Sequence, residues 1–326
     1  MRILVVGYGS MGRRRIRLSK KLYPDAEYVC VDSNPERVKE IIRDGHKAVV
    51  SLDEAIGEEP DVAFVCTSPG HHADIILKLI SAGIDTFTEL NLVSEGYDEM
   101  ISLAEEKGVH VFMSSTMLYD AQIVAIEKEI RRSKKTLTYI YHVGQYLPDW
   151  HPWESYRDFF IGKKETNGCR EIYAIQLPWI LDAFGPVEKI TTQSKRSTGL
   201  DIDYPDTYTT MLEHENGTHG IMVIDVLARQ ATTYLEIMGE DIHIKWNGSV
   251  ESLQSFDIES GTMKRLDSYE KTEHAEGYAE NINENEYLDE IKAFFGWIQK
   301  GEKPKYSLED DKYTLGLIDE IEGRGR

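Results

Sequence analysis

The chain of 326 residues is 41% hydrophobic and 29% charged, the balance of an ordinary globular protein, and it is long enough for two domains with separate cores. Its formal net charge of −20 excludes general electrostatic binding to nucleic acid or to an anionic membrane. The apolar runs are too short for a transmembrane helix or a secretory segment. Three widely spaced cysteines predict reduced thiols and a cytoplasmic location.

Residues 1–120 alternate strands with helices, and we predict that they form one domain around a doubly wound parallel sheet. Several of its strands are continuously apolar, as is typical of strands covered on both faces. The predicted strands span residues 3–6, 28–31, 48–50, 62–67, 86–89 and 109–113. The predicted helices span residues 12–21, 35–43, 52–56, 73–81 and 94–106.

A glycine-rich turn follows the first predicted strand, where residues 7–12 read GYGSMG. The spacing is that of a dinucleotide-binding βαβ unit, in which the glycines allow a tight turn, close approach of a pyrophosphate and close packing of the helix. The start of that helix favours negative charge, because its first N–H groups have no partner within the helix. We predict that the dinucleotide is bound by Gly7, Gly9, Ser10, Met11 and Gly12.

Asp32 ends the second predicted strand. A carboxylate at this place accepts hydrogen bonds from the adenosine ribose and repels a 2′-phosphate. Since Ser33 and Asn34 follow it and Arg37 lies a turn further on, we predict that the cofactor is NAD. The alternative is that Asp32 caps the helix that begins at Pro35.

Residues 121–326 have a different pattern, in which one helix is followed by strands without intervening helices. Short turns such as residues 215–217 join several of these strands, which predicts an open, mostly antiparallel sheet. The chain is therefore predicted to be of the α/β class, with an N-terminal Rossmann domain and a C-terminal α+β domain for substrate binding and oligomerisation. The predicted strands span residues 137–143, 187–194, 208–214, 220–226, 232–238 and 242–246, and the helices 121–132, 284–299 and 307–322.

Further motifs occur at strand ends and in the second half of the chain. They are residues 66–72 (CTSPGHH), Glu89, residues 213–217 (EHENG), residues 235–239 (LEIMG), Tyr287 and Glu290. With the glycine motif and Asp32, they make the chain similar over nearly its whole length to the glucose–fructose oxidoreductase/inositol dehydrogenase (Gfo/Idh/MocA) family. The resemblance implies NAD-dependent hydride transfer on a sugar, amino-sugar or sugar-acid derivative by a homodimer or homotetramer.

The resemblance also implies further cofactor contacts. Thr67, Ser68, Pro69 and His72 would line the NAD groove, and Glu89 would approach the nicotinamide ribose. Both segments end strands of the predicted parallel sheet, which is where ligands of such sheets lie. The alternative for His72 is a residue at the entry of a helix that faces water.

Three positions depart from the family pattern. Leu90 stands where the family has a catalytic lysine, Ile175 stands where it has a histidine, and Pro178 replaces an aspartate. None of these side chains can transfer a proton. An active enzyme would need other residues for that step.

Glu171 and Tyr173 are the candidate catalytic residues, because they lie close in sequence to the vacated histidine position. If the segment is helical, Glu171 and Ile175 share a face at i and i+4. The alternatives are that Glu171 is a first-turn helix charge and that Tyr173 is a core aromatic residue. Other ionisable or hydroxyl candidates are Tyr146, His142, His151 and Lys163.

Residues 139–160 are unusually rich in aromatic side chains, which can stack on the apolar faces of sugars, while His and Arg bind hydroxyls and carboxylates. We predict a substrate wall formed by Tyr146, His151, Trp153 and Arg157. Packing of a long loop, or a subunit contact, is the alternative. No metal-ligand spacing is visible. A second functional hypothesis is an NAD-binding protein without dehydrogenase turnover, which acts as a sensor or a partner-binding subunit.

Overall fold

The computed structural model describes residues 1–150, 155–266, 268 and 284–324. The chain divides into two compact units, Met1–Thr116 with Tyr287–Tyr313, and Met117–Glu286 with Thr314–Arg326. The boundary predicted at residue 120 places both C-terminal helices in the second domain. In the structure, residues 287–313 belong to the first unit instead. Phe294 accounts for the difference, since its ring packs 5.8 Å from that of Phe87 and 5.9 Å from that of Phe112.

The first unit contains a six-stranded parallel sheet, as predicted, with the strand order β3-β2-β1-β4-β5-β6. Successive strands are joined through a helix, and each join links parallel neighbours except the one from β3 to β4, which crosses to the other side of β1. The strands are β1 (Arg2–Val6), β2 (Glu27–Val31), β3 (Lys47–Val49), β4 (Val62–Val65), β5 (Asp85–Thr88) and β6 (Val111–Met113). The helices are α1 (Ser10–Leu22), α2 (Pro35–Arg43), α3 (Leu52–Gly57), α4 (His72–Ser81) and α5 (Tyr97–Lys107).

Local signals explain where these helices begin. Asn34 caps α2 by accepting a hydrogen bond from the Glu36 amide, and Pro35 occupies the first helical position. Ser51 caps α3 in the same way, by accepting a hydrogen bond from the Glu54 amide. Helix α5 begins three residues later than predicted, because Gly96 has a φ of +78° and so cannot belong to the helix.

The second unit contains an eight-stranded sheet with the order β14-β13-β12-β11-β7-β10-β9-β8. The pairs are antiparallel except for β7 and β10, which are parallel, so the predicted mostly antiparallel sheet is confirmed. Strands β13 and β14 were not predicted from the sequence. The strands are β7 (Thr138–Gly144), β8 (Val187–Lys195), β9 (Thr207–His214), β10 (His219–Asp225), β11 (Thr232–Met238), β12 (His243–Trp246), β13 (Gln254–Asp257) and β14 (Thr262–Arg265).

One face of this sheet is covered by helix α7 (Gly168–Phe184). Tyr139 stacks on Phe184 with 4.5 Å between ring centroids, and Tyr141 meets Trp179 edge to face at 5.2 Å. The remaining helices are α6 (Ala121–Arg132), α8 (Glu284–Lys300) and α9 (Leu308–Glu322). None of the helices in the described ranges combines the length and the apolar character that a membrane crossing requires.

Candidate functional site

The three glycines of the turn after β1 have different surroundings. Gly7 has a φ of +95°, and a Cβ placed on it would lie 2.7 Å from the carbonyl oxygen of Cys66. A Cβ on Gly12 would lie 2.1 Å from the carbonyl oxygen of Gly7. A Cβ on Gly9 would meet nothing closer than the Arg37 guanidinium, at 3.8 Å. Gly7 and Gly12 therefore serve the fold itself, whereas the open face of Gly9 leaves space for a ligand.

Helix α1 starts at this turn with Gly9 as its N-cap, and this residue has no side chain to cap the helix. Ser10 is exposed, Met11 is half-buried, and the first turn holds no acidic residue. Such a helix start attracts a phosphate, because its N–H groups point outward and its dipole is positive there. The residues present thus fit the diphosphate of a dinucleotide.

Asp32 holds the glycine turn to the end of β2. Its Oδ2 accepts a hydrogen bond of 2.7 Å from the Tyr8 amide, and its Oδ1 accepts one of 2.8 Å from the Asn34 amide. Arg37 lies 3.5 Å from the same Oδ2. Asp32 does not cap α2, because Asn34 is the capping residue of that helix.

The loop after β4 brings Thr67 beside the glycine turn, with its amide 3.1 Å from where a Cβ of Gly7 would stand. The Thr67 hydroxyl is buried and has no hydrogen-bond partner among the described residues, which favours a missing polar ligand there. Ser68 is exposed and Pro69 is buried. His72 does not face water: its Nε2 donates to the Thr67 carbonyl oxygen at 2.9 Å. Burial lowers the pKa of His72, so the neutral ring shapes the loop.

A buried charge cluster lies at the end of β5. The Arg15 Nε donates to Glu89 Oε1 at 2.5 Å, and its Nη2 donates to Glu290 Oε2 at 2.8 Å. Glu290 also accepts from the Ser114 hydroxyl at 2.9 Å, and the guanidinium lies 4.3 Å from the centre of the Phe87 ring. Burial raises the pKa of Glu290, although the nearby guanidinium opposes this.

This cluster changes the interpretation of two sequence features. The basic run 13–15 suggests solvated helix faces or added positive potential near the turn, yet Arg14 and Arg15 are buried. The Glu89 carboxylate, predicted to approach a nicotinamide ribose, is held by Arg15 and is nearly buried. Leu90 is half-buried at the place of the family's lysine. Asn91 is structural, since its side chain donates to the Val93 carbonyl oxygen at 2.9 Å.

In the second unit, Glu171 lies in the first turn of α7, which Asn167 caps by accepting from the Arg170 amide at 2.8 Å. The Glu171 side chain is partly exposed, but its Oε2 is buried and has no hydrogen-bond partner in the described part of the chain. Burial raises the pKa of this carboxyl to about 7. A group with this pKa can take up and release a proton near neutral pH.

The other predicted catalytic residue, Tyr173, is fully buried in the core of the second unit. Its hydroxyl is 2.7 Å from the Thr210 hydroxyl, and burial raises its pKa well above the ordinary value. These contacts favour the alternative reading of a core aromatic residue. Ile175 is half-buried, as is Glu171 four residues before it, whereas Pro178 is buried within the helix.

Tyr146 lies just beyond the end of β7. Its amide donates to the Ala228 carbonyl oxygen at 2.7 Å, and the Arg229 guanidinium stacks 3.7 Å from the centre of its ring. Arg229 makes no ion pair among the described residues, so this cation–π stack offers a positive group beside an aromatic face.

The other predicted substrate residues are less well placed or lie outside the described part. Arg157 is exposed and pairs with the exposed Asp201 at 3.0 Å. His151 and Trp153 lie outside the described residues. The single substrate wall formed by Tyr146, His151, Trp153 and Arg157 stays a prediction.

A further polar pair occurs where β7 and β10 run side by side. His142 Nε2 is 2.6 Å from Asp225 Oδ2, while Asp225 Oδ1 accepts from the amides of Leu227 and Ala228. Although burial opposes it, these bonds lower the pKa of Asp225. Sequence reasoning identified His142 but not Asp225, because it did not predict the parallel pairing of these strands. Over the described ranges, no cluster of three or more His, Cys, Asp or Glu side chains could hold a metal ion.

Known proteins resemble this chain in sequence and in fold. Residues 1–115 match the model of the Gfo/Idh/MocA family, described as an oxidoreductase family with an NAD-binding Rossmann fold. Human biliverdin reductase A is 25% identical over 130 residues, which are 39% of this chain and 44% of that protein. The chain thus spans less than half the length of this curated relative.

Two solved structures show that the fold extends over the whole chain. An oxidoreductase from Agrobacterium radiobacter, solved with NAD+, L-tartaric acid and magnesium, superposes with a TM-score of 0.84 at 14% identity and covers 100% of this chain and 97% of its own. The WlbA dehydrogenase from Bordetella pertussis, solved with NADH and UDP-GlcNAcA, gives a TM-score of 0.78 at 16% identity, with 100% and 97% covered. Residues 1–115 therefore match the NAD-binding Rossmann domain of the Gfo/Idh/MocA family, and the whole chain has a fold similar to those of the two solved structures.

Proposed function

We propose that the protein is an NAD-dependent oxidoreductase that acts on a sugar, amino-sugar or sugar-acid derivative. The observation that carries the proposal is Glu171, a carboxyl with a pKa of about 7 and one buried, unpartnered oxygen. NAD, when bound, supplies the hydride acceptor or donor. Gly9 and the start of α1 would hold its diphosphate, and the buried Thr67 hydroxyl would be available as a further polar contact.

In this proposal Glu171 transfers the proton, which Leu90 and Ile175 cannot do. Oxidation of an alcohol requires a base for the hydroxyl proton, and reduction of a ketone requires an acid. Its pKa of about 7 leaves both forms of Glu171 populated at neutral pH, so the one carboxyl can serve either direction. The buried location excludes water from one carboxylate oxygen and thereby strengthens it as a base.

The substrate class rests on chemistry and on similar proteins. The stack of Arg229 on Tyr146 offers an aromatic face and a cation, which suit a sugar ring that carries a negative group. The WlbA dehydrogenase was solved with a nucleotide sugar acid, UDP-GlcNAcA, and the Agrobacterium oxidoreductase with tartaric acid. Cys30, Cys66 and Cys169 are free thiols, which is consistent with a cytoplasmic location.

A second candidate function is NAD binding without turnover, as a sensor or a partner-binding subunit. Leu90, Ile175 and Pro178 favour it, since they leave the family's usual proton-transfer positions without an ionisable group. Purified protein titrated with NADH and then screened at 340 nm with NAD+ and a panel of sugars, amino sugars and sugar acids distinguishes the two. Turnover that requires Glu171 supports the first candidate, and NADH binding with no turnover supports the second.

The variant Gly9→Val provides the control for this assay. A Cβ at Gly9 meets nothing closer than the Arg37 guanidinium at 3.8 Å, and this side chain is half-exposed and can move. We therefore expect near-normal thermal stability but at least a roughly 10-fold loss of NADH affinity, because the valine blocks the approach of the diphosphate. Gly12→Ala is the matched variant, and its Cβ would clash with the Gly7 carbonyl oxygen, so it should lower the melting temperature. Unchanged NADH binding by Gly9→Val would contradict the cofactor site.

We also propose that the protein is a homo-oligomer, assembled through the face of the eight-stranded sheet that α7 does not cover. Met211, Ile221 and Ile140 are paired in register across three neighbouring strands and are 47%, 37% and 37% exposed. Such an exposed apolar row is typical of an interface. Ile221→Glu should shift the mass measured by light scattering to that of a monomer, whereas Val50→Glu, also at an exposed apolar residue, should not. An unchanged mass for Ile221→Glu would exclude this face.

A further inference from the structure

Two loops of the second unit are joined at the ends of β7 and β10. Because these strands run parallel, the chain leaves both of them at the same edge of the sheet, into loops that begin at Gln145 and Val226. The Tyr146 amide donates to the Ala228 carbonyl oxygen at 2.7 Å, and the Leu147 amide donates to the Val226 carbonyl oxygen at 3.0 Å. Backbone hydrogen bonds therefore hold the two loops together.

Asp225, the last residue of β10, fixes the second loop through its side chain. Its Oδ1 accepts hydrogen bonds from the amides of Leu227 at 3.0 Å and Ala228 at 2.8 Å, and its Oδ2 lies 2.6 Å from His142 Nε2. A Cβ at Gly144, the neighbouring residue on β7, would lie 2.6 Å from Asp225 Cγ, so only glycine leaves room for the carboxylate. Both carboxylate oxygens are used within the protein, and the side chain is 5% exposed. Asp225 therefore holds the loop and does not itself face a ligand.

Arg229 directly follows the amides that Asp225 holds. Its guanidinium lies 3.7 Å from the centre of the Tyr146 ring. A stack of this kind occupies the flat face of the guanidinium and leaves the N–H donors at its edge available. Arg229 is exposed, and no carboxylate in the described part of the chain pairs with it. The free edge matches the two oxygens of a carboxylate in a bidentate contact.

The same loops pack against the start of α7. A Cβ at Gly168, the first residue of this helix, would lie 3.0 Å from Leu147 Cδ1 and 3.0 Å from Val226 Cγ1. Glu171 lies in that first turn. The proposed proton-transfer residue and the stacked Arg229 are therefore on segments that pack together.

We propose that Asp225 is a positioning residue of a carboxylate-binding site: it fixes the loop so that Arg229 stays on the Tyr146 ring with its donor edge free for the carboxylate of a sugar acid. The inference rests on the proposed function and deepens it, since it explains how a sugar acid is selected over the corresponding neutral sugar. Arg229 makes the contact, and Asp225 acts through the loop. A guanidinium that is already held in place loses less conformational freedom on binding, so the loop contacts raise the affinity for the acid.

Two methyl glycosides that differ only at C6 test the proposal: methyl β-D-glucuronide, which carries a carboxylate, and methyl β-D-glucoside, which carries a hydroxymethyl group. Ligand-observed NMR titrations with protein saturated with NADH measure both affinities without turnover, because NADH cannot oxidise an alcohol. We expect the wild-type protein to bind the glucuronide at least about 10-fold more tightly than the glucoside, as a charge-assisted bidentate contact predicts. Arg229→Ala should abolish this affinity ratio.

Variants at Asp225 test the positioning role. Asp225→Ala should reduce the ratio to less than about 3-fold although Arg229 is still present, since the loop amides lose their acceptor. Gly144→Ala, whose Cβ would displace the same carboxylate, should reproduce this loss in a chain that keeps Asp225. Asp225→Asn keeps an oxygen acceptor for the amides and should restore most of the ratio. The matched variant Asp206→Ala, at another buried aspartate that accepts backbone amides, should keep the wild-type ratio.

Each outcome bears on one part of the inference. Equal affinities of the wild-type protein for the two glycosides, or no binding of either, would overturn the carboxylate site. A wild-type ratio in both Asp225→Ala and Gly144→Ala would overturn the positioning role. Equal losses for the glucuronide, the glucoside and NADH in these variants would do the same, because a general loss of structure weakens all three. Failure of the proposed function is distinguishable, since it would appear as absence of NADH binding or of turnover at 340 nm, which the affinity ratio does not measure.

Discussion

Replacing Glu171 by glutamine should make the protein more stable above neutral pH and should abolish most of its turnover. The folded pKa of about 7 lies above the ordinary value of 4.5, because burial disfavours the charged form. As the pH rises from 4.5 to 7, the unfolded chain releases this proton while the folded chain retains it, so the wild-type protein loses stability. The uncharged glutamine removes that loss.

The size of the effect follows from the shift in pKa. A difference of about 2.5 pKa units corresponds to about 3 kcal/mol at most, and the partial exposure of the side chain reduces it to roughly 2 kcal/mol. In a chain of this size the variant should melt roughly 3 °C above the wild type at pH 8, with a much smaller difference at pH 5. Differential scanning fluorimetry across this pH range measures it, and Glu165→Gln, at an exposed carboxylate on the same segment, should show no such trend.

Turnover provides the second measurement for Glu171. For alcohol oxidation, kcat/KM should rise with pH and reach half its maximum near pH 7, because the base must be deprotonated. Glu171→Gln should lower kcat by about 100-fold or more while NADH binding is retained. A variant with the wild-type pH dependence of stability and full turnover would show that this carboxyl neither titrates near pH 7 nor transfers the proton.

Much of the first unit could be predicted because its signals are local. The glycine spacing and Asp32 specify the βαβ unit within a few turns of chain, and the caps at Asn34 and Ser51 place helix starts. Helix α7 carried no such signal. It is apolar on nearly every side and contains Pro178, so it shows no amphipathic period by which the sequence could reveal it.

The parts of the candidate site that escaped prediction depend on distant partners. In the sequence, Arg15 is expected to be one of three exposed arginines. Its buried position depends on Glu290, which lies 275 positions later in the chain and accepts a hydrogen bond from it. Asp225 meets His142 only through the parallel pairing of two strands that are separated by α7 and by two intervening strands. The pKa of Glu171 likewise follows from burial, which no spacing in the sequence encodes.

Replacing Arg15 by methionine should destabilise the first unit by about 3–5 kcal/mol. The substitution leaves the carboxylates of Glu89 and Glu290 close together without their shared cation, and unpaired buried charges are strongly destabilising. Arg15→Lys should lose less, since it keeps a charge but cannot reproduce the forked contacts. Urea unfolding at pH 7.5 measures the loss, and the neighbouring Arg13→Met should cost less than about 1 kcal/mol, because its pair with Glu40 is solvent-exposed.

Two causes of the lower stability of Arg15→Met, lost charge pairing and lost packing, can be distinguished by experiment. Without Arg15, whose charge opposes the effect of burial, the pKa of the Glu290 carboxyl should rise further above the ordinary range. The deficit of Arg15→Met relative to wild type should therefore shrink as the pH falls from 7.5 to 5. The triple variant Arg15→Met, Glu89→Gln, Glu290→Gln removes all three charges and should recover most of the lost stability at pH 7.5, as replacement of a whole buried ion cluster often does. If the triple variant were no more stable than Arg15→Met, and the deficit did not change with pH, packing around Phe87 rather than charge pairing would be the contribution of Arg15.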